Sequence, residues 1–134
     1  MLKDIEVEQV NNVGIAVVRE KSEEGETIYN VYLINKKDHP IEGVLVSSKG
    51  YGEINGEKRS TSVLRHFLET VDKKSFKLIE PIVEDVFNLT NEYWISFYED
   101  KKLLDKKFRI VPETIREDNF IEIPFIEKPG VLII

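Results

Sequence analysis

The chain has 134 residues, no cysteine and a formal net charge of −6, from 19 basic and 25 acidic side chains. This length suits one domain, so we expect a single β-sandwich domain over residues 1–134. The lack of cysteine excludes disulfides, thiolate metal sites and cysteine nucleophiles. The acidic balance argues against nucleic acid and anionic membranes as partners. The acids in MLKDIEVEQV do not fit a secretory signal, and no apolar run approaches the ~20 residues of a membrane span. We therefore expect a cytoplasmic protein.

Short apolar segments, rich in β-branched and aromatic residues, recur along the chain between clusters of Gly, Pro, Asn and Asp. The pattern predicts strands at 5–10, 13–20, 28–35, 42–48, 75–82, 92–99, 103–111 and 120–124. Many short strands at this spacing are typical of an all-β fold. The sequence predicts an antiparallel β-sandwich of the immunoglobulin-like kind. The apolar ending KPGVLII predicts a final strand or, if it is not paired, an exposed edge for dimer contact.

The stretch VLVSSKGYGEINGEKRST contains the clearest turn signal. Asn55-Gly56 favours a type I′ turn, which needs positive φ at both central positions. In that turn Glu53 lies opposite Lys58, a favourable pair of charges. The glycines do not form a phosphate-binding loop, because Gly52 and Gly56 enclose three residues and Glu57 follows where a lysine is needed. The stretch therefore predicts a structural hairpin.

One segment is ambiguous. Apolar residues at 63, 64, 67, 68 and 71 have the spacing of a helical stripe, so a short helix near 61–71 is an alternative. The same residues can instead form the return strand of the Asn55-Gly56 hairpin. We favour the strand, because the turn signal is specific and the apolar pattern is short.

The most aromatic part of the chain is EYWISFYEDKKLLDKKFRIV. Alternation places Tyr93, Ile95 and Phe97 on one face of a strand and Trp94, Ser96 and Tyr98 on the other. Because a domain with one tryptophan usually buries it, the hydrophobic core is the simpler interpretation of Trp94. If these aromatic residues are exposed, they predict a recognition surface.

The candidate binding residues are Tyr51, Arg65, His66, Tyr93, Trp94 and Tyr98. Tyr51 lies beside glycines in a predicted loop. Arg65 and His66 follow the hydroxyl residues Ser60 and Ser62, and a general-base role for His66 would also require an orienting carboxylate, with Glu69 nearby. His39 lacks neighbours that would complete a metal site. The sequence predicts no catalytic residues, no metal and no cofactor.

Several segments in order, VYLINKKDHPIEGVLVSSKGYG, TSVLRHFLE, NEYWISFY, DKKFRIVPETI and KPGVLI, carry a resemblance. Together they resemble a group of short bacterial proteins of uncharacterised function, some of which are described as the alpha subunit of phenylalanyl-tRNA synthetase. The chain has neither the ATP-binding arginine motif nor the glycine-rich third motif of class II synthetases. The resemblance therefore implies no catalytic residues.

Three functions follow as hypotheses. We favour a non-catalytic module that binds a protein partner or forms a homo-oligomer, because aromatic strand surface and an apolar C-terminal strand offer contact area. The first alternative is an RNA-contacting module associated with translation, suggested by the synthetase description and by lysine pairs at turns. The second is a small enzyme that uses His66 with a neighbouring Ser or Glu.

Overall fold

The computed structural model describes residues 11–134, so the strand predicted at 5–10 lies outside the described residues. The strands are β1 Val13–Lys21, β2 Thr27–Asn35, β3 Ile41–Ile54, β4 Glu57–Ser60, β5 Leu64–Val71, β6 Ser75–Ile82, β7 Thr90–Glu99, β8 Lys102–Ile110, β9 Ile121–Glu122 and β10 Pro129–Ile133. Two short 3-10 helices span Glu84–Val86 and Glu117–Asn119. No helix within the described part of the chain has the length and apolar character needed to cross a membrane.

The strands form two antiparallel sheets packed face to face, which confirms the predicted all-β sandwich. The first sheet has the order β6-β2-β1-β10-β9, and the second has the order β4-β3-β7-β8, with β5 also paired to β3. The core between the sheets is built from alternate, inward-facing residues along the strands of both sheets, among them Val13, Ile15, Val17, Val31, Leu33, Val44, Val46, Tyr93, Ile95 and Phe97. The apolar ending forms the predicted final strand, since β10 pairs with β1.

The Asn55-Gly56 hairpin is confirmed in its turn and in its register. Asn55 and Gly56 have φ of 54° and 79°, the positive values of a type I′ turn. Glu53 lies opposite Lys58 in the β3–β4 ladder. The two-residue turn between β7 and β8 is built in the same way, with φ of 51° at Asp100 and 65° at Lys101. Local turn chemistry therefore sets both registers.

The alternative of a short helix near 61–71 is wrong, since Leu64–Val71 forms strand β5. The hairpin's return strand is the shorter β4, and after a break β5 continues along the same edge of β3. A bulge in β5 explains why its apolar residues have the spacing of a helix. The β3–β5 register shifts between Val44 and Leu45, and Glu69 adopts a φ of 62°, which changes the phase of the apolar alternation.

A second bulge, in β6, determines which side chains face the core. The β2–β6 register shifts between Val31, which pairs with Glu80, and Tyr32, which pairs with Leu78. Ile79 is therefore the extra residue, and after it the alternation of β6 changes phase. Because paired residues share a face of the sheet, Glu80 lies on the same inward face as the fully buried Val31. Without this bulge Glu80 would lie on the outer face.

The segment 121–128 packs on the outer face of the first sheet. The predicted strand at 120–124 is reduced to the two residues of β9, after which the chain turns. Ile123 is fully buried in a small outer cluster with Ala16, Val18 and Ile34. Lys128 forms an ion pair with Glu20 at 2.7 Å. The chain thus supplies its own cover for this face.

Candidate functional site

The outer face of the second sheet carries exposed aromatic side chains. The predicted division of β7 into two faces is confirmed: Tyr93, Ile95 and Phe97 are buried, whereas Trp94 is 50% exposed and Tyr98 is 49% exposed. The core interpretation of Trp94 is therefore wrong. Both faces of β7 are rich in apolar residues. Tyr93 and Ile95, on either side of Trp94, point into the core, so Trp94 points outward.

Other exposed apolar side chains surround these two aromatics. Leu103 pairs with Tyr98 across the β7–β8 ladder, and Leu45 pairs with Phe67 across the β3–β5 ladder. Leu45 also pairs with Ser96, which lies between Trp94 and Tyr98 on the same side of β7. We call the exposed surface formed by Leu45, Phe67, Trp94, Tyr98 and Leu103 the aromatic face. It crosses four adjacent strands, β5-β3-β7-β8.

Three basic side chains beside the aromatic face form ion pairs with the same carboxylate, that of Glu92. Glu92, only 7% exposed, forms ion pairs with Arg109 at 3.2 Å, Lys49 at 3.7 Å and Lys107 at 3.9 Å. The Lys107 ammonium also lies 5.1 Å from the centre of the Trp94 ring, within the range of a cation–π contact. We call these groups the Glu92 cluster. Its three cations and one carboxylate leave a local positive charge.

Four of the six predicted binding residues share this outer face. Arg65 and Trp94 both pair with Ser47, on opposite sides of β3. Tyr51 donates a long hydrogen bond of 3.4 Å to Glu92 and lies within strand β3, so its predicted loop position is wrong. Tyr98 completes the group. The lysine pair at 106 and 107 lies within strand β8, inside the strand predicted at 103–111.

The other two predicted residues, His66 and Tyr93, face inward and meet at Glu80. The Glu80 carboxylate accepts hydrogen bonds from Ser48 Oγ at 2.9 Å, His66 Nε2 at 2.7 Å and the Tyr93 hydroxyl at 3.0 Å. Burial raises the pKa of Tyr93 well above its ordinary value, and the nearby Glu80 carboxylate raises it further. The Tyr93 hydroxyl therefore stays protonated and acts as a donor. We call these four residues the Glu80 cluster.

The Glu80 cluster joins the two sheets through a carboxylate that the sequence did not single out. Ser48 and Tyr93 pair across β3 and β7, whereas Glu80 comes from the opposite sheet. The Ser48 hydroxyl donates its hydrogen bond to the Glu80 carboxylate, which the His66 imidazole also contacts, and not to the imidazole itself. This differs from the serine–base–acid chain in which a nucleophile is activated. No sequence signal located Glu80, since its inward position depends on the β6 bulge.

His39 also lies beside a carboxylate, on the surface. Its Nε2 contacts Glu99, which also forms an ion pair with Lys37 at 3.1 Å. Burial raises the pKa of Glu99, but hydrogen bonds from His39 and Lys37 outweigh burial and hold it below its ordinary value. Across residues 11–134, no three His, Cys, Asp or Glu side chains are grouped so that they could hold a metal ion. His39 therefore belongs to a surface ion-pair group.

The two sites differ in what they offer. The aromatic face and the Glu92 cluster form an open surface, whereas the Glu80 cluster lies inside the sandwich at a cavity between the sheets.

Comparison with known proteins adds no family: no protein-family model matches the chain, and no curated protein or solved structure matches it significantly.

Proposed function

We propose that this protein is a non-catalytic interaction module of the cytoplasm, which binds a protein partner through the aromatic face. The observation that carries this function is the exposure of Leu45, Phe67, Trp94, Tyr98 and Leu103 on adjacent strands. Contiguous exposed apolar surface is uncommon on a protein without a binding role. Tryptophan and tyrosine are also enriched among the residues that dominate interface energies.

The charges on this side of the molecule favour an acidic partner. The Glu92 cluster and the exposed Arg65 place positive charge beside the aromatic face, while the whole chain has a net charge of −6. This face also carries the carboxylates of Asp105, which pairs with Ser96, and Glu42, which pairs with Tyr98, but the basic groups outnumber the acidic ones. A face-to-face contact between two copies would therefore bring an excess of positive charge together, at an electrostatic cost. We therefore favour a different protein, which presents apolar side chains flanked by Asp or Glu.

The strand order supports an immunoglobulin-like topology as part of this proposal. β1, β2 and β6 are adjacent in one sheet, and β3, β7 and β8 are adjacent in the other. Strands A, B and E and strands C, F and G of an immunoglobulin domain are divided in the same way. In this comparison the aromatic face is the outer surface of the sheet that contains C, F and G.

The test is a double substitution, Trp94→Ala with Tyr98→Ala, used in affinity capture at low salt and then in titrations with the purified partner. We expect binding to weaken by at least about 30-fold, since the loss of even one anchor of this kind costs roughly 2 kcal/mol or more. The matched control is Phe76→Ala with Leu78→Ala, which removes two exposed apolar side chains from the outer face of the first sheet. This control should bind normally.

Three results would contradict the proposal. A partner retained by the Trp94→Ala, Tyr98→Ala variant would show that the aromatic face is not the contact. Capture of nucleic acid that salt releases would favour the RNA-contacting alternative, because phosphate contacts are strongly salt-dependent. A wild-type dimer in analytical ultracentrifugation that the same double substitution dissociates would favour self-assembly.

A further inference from the structure

Glu80 differs from the other well-hidden glutamates in its partners. Its side chain is 13% exposed, and those of Glu20, Glu92 and Glu99 are 11%, 9% and 15% exposed. Each of those three pairs with a lysine or arginine. Glu20 pairs with Lys128, Glu99 pairs with Lys37, and Glu92 pairs with Lys49, Lys107 and Arg109. Within residues 11–134, the only basic side chain at ion-pair distance from Glu80 is His66. A hidden carboxylate without a strong cation is costly unless another group neutralises it.

A cavity of about 320 Å³ lies at the Glu80 cluster. Glu80, Ser48 and Tyr93 line one part of it, and apolar side chains line another: Leu64, Pro81, Ile82, Val83 and Val86. Lys49 also borders the cavity, but its ammonium lies toward Glu92 and 5.8 Å from the centre of the Tyr51 ring. The cavity therefore combines a carboxylate with an apolar wall, and its volume is at the lower end of the range for small-molecule sites.

We propose that this cavity binds a small primary amine with an apolar chain. The ammonium binds the Glu80 carboxylate, and the carbon chain packs against Leu64, Val83 and Val86. The three protein donors at Glu80 occupy three of the roughly four lone-pair positions of a carboxylate, which leaves one acceptor position for the ligand. A cation is favoured over an anion, because an anionic ligand would meet Glu80 at close range in a poorly solvated site.

The site also has an entrance. Leu64 and Val83 line the cavity and are 49% and 63% exposed, so its apolar wall continues to the protein surface. Gly50 lies deeper, where an added Cβ would be 3.2 Å from both Asn91 Oδ1 and Thr61 Cγ2. The Glu80 carboxylate and the exposed side chains of Leu64 and Val83 therefore line one cavity that opens to solvent. This site is separate from the aromatic face, so each can fail without the other.

The experiment uses n-pentylamine, n-pentanol and pentanoate as probes of equal chain length, each titrated into the full chain while backbone amide shifts are followed by NMR. We expect pentylamine to shift the amides of Gly50, Leu64 and Val83 with a millimolar dissociation constant. Pentanol should bind more weakly, and pentanoate should produce no saturable shift. Glu80→Gln should weaken pentylamine binding at least about tenfold, whereas the control Glu99→Gln should retain it.

A second variant keeps the test decisive if Glu80→Gln does not fold. Leu64 pairs with Ser48 across β3 and β5, so Leu64→Lys places a tethered ammonium at the same cavity. This variant should lose pentylamine binding, whereas Leu64→Met should retain it. Equal binding of pentanol and pentylamine, saturable binding of pentanoate, or no shift with pentylamine would overturn the amine site. Unchanged affinity in Leu64→Lys or in folded Glu80→Gln would overturn it as well.

Discussion

The two outer faces of the sandwich are both rich in apolar residues, but residues 11–134 cover only one of them. On the first sheet, Ala16, Val18 and Ile34 are buried beneath Ile123 from the segment 121–128. On the second sheet, Trp94 and Tyr98 are about half exposed. An outward apolar residue therefore does not identify a binding surface until the rest of the chain has been placed.

The cover on the first sheet depends on close contact and on an ion pair. Gly130 lies in β10 beneath the covering segment, and an added Cβ would be 2.2 Å from the Val17 carbonyl oxygen and 3.1 Å from Ile123 Cγ1. At the other end, Glu20 accepts hydrogen bonds from Lys128, Asn30 and Tyr32. Burial and Glu20 raise the pKa of Tyr32 to about 12, so its hydroxyl stays a donor. The described residues show no equivalent covering segment over Trp94 and Tyr98.

The largest expected effect is on the covered face. Ile123→Ala should lower the free energy of unfolding by about 2–5 kcal/mol, because it removes a fully buried side chain and leaves a cavity. Chemical denaturation measures this change. Ile121→Ala is the matched control, since Ile121 is 52% exposed two residues earlier, and it should change stability by less than about 1 kcal/mol. Equal effects would mean that the segment does not act as a cover.

The second prediction concerns the ion pair that holds the cover. Glu20→Gln should cost about 1–3 kcal/mol at neutral pH, because a charged acceptor of three hydrogen bonds is lost. Burial raises the pKa of Glu20, but its hydrogen bonds, led by that from Lys128, outweigh burial and lower the pKa overall.

The sign of the pH dependence follows from that lowered pKa. The contribution of Glu20 is present above the ordinary glutamate pKa of about 4.3 and is lost as the pH falls through the lower folded value. Wild type and Glu20→Gln should therefore converge in stability in acid. Denaturation at several pH values checks this, and a gap that stays constant down to pH values below the folded pKa would contradict the assignment.

The smallest expected effect on stability is at the aromatic face. Trp94→Ala should change the free energy of unfolding by at most about 1 kcal/mol, because the side chain is half exposed and its loss leaves no buried cavity. The same denaturation experiment measures it. A loss as large as that of Ile123→Ala would mean that Trp94 supports the fold, and it would remove the basis for a recognition role.

Local patterns in the sequence predicted much of the fold. The Asn55-Gly56 turn and the opposition of Glu53 and Lys58 follow from turn chemistry, which depends only on neighbouring residues. The alternation of Tyr93 with Trp94 was also predicted, although which face of β7 is exposed was not. The phase of β5 and β6 could not be read, because each strand contains a bulge that changes the alternation where it pairs.

The sequence alone determined the fold class, most strand positions and the turn registers, since these rest on contacts between residues close along the chain. Tertiary structure alone decided that Trp94 is exposed, that segment 121–128 covers the first sheet, and that Ser48, His66 and Tyr93 meet at Glu80. These features depend on how two sheets pack and on where a bulge turns a side chain inward. Neither is encoded in the spacing of nearby residues.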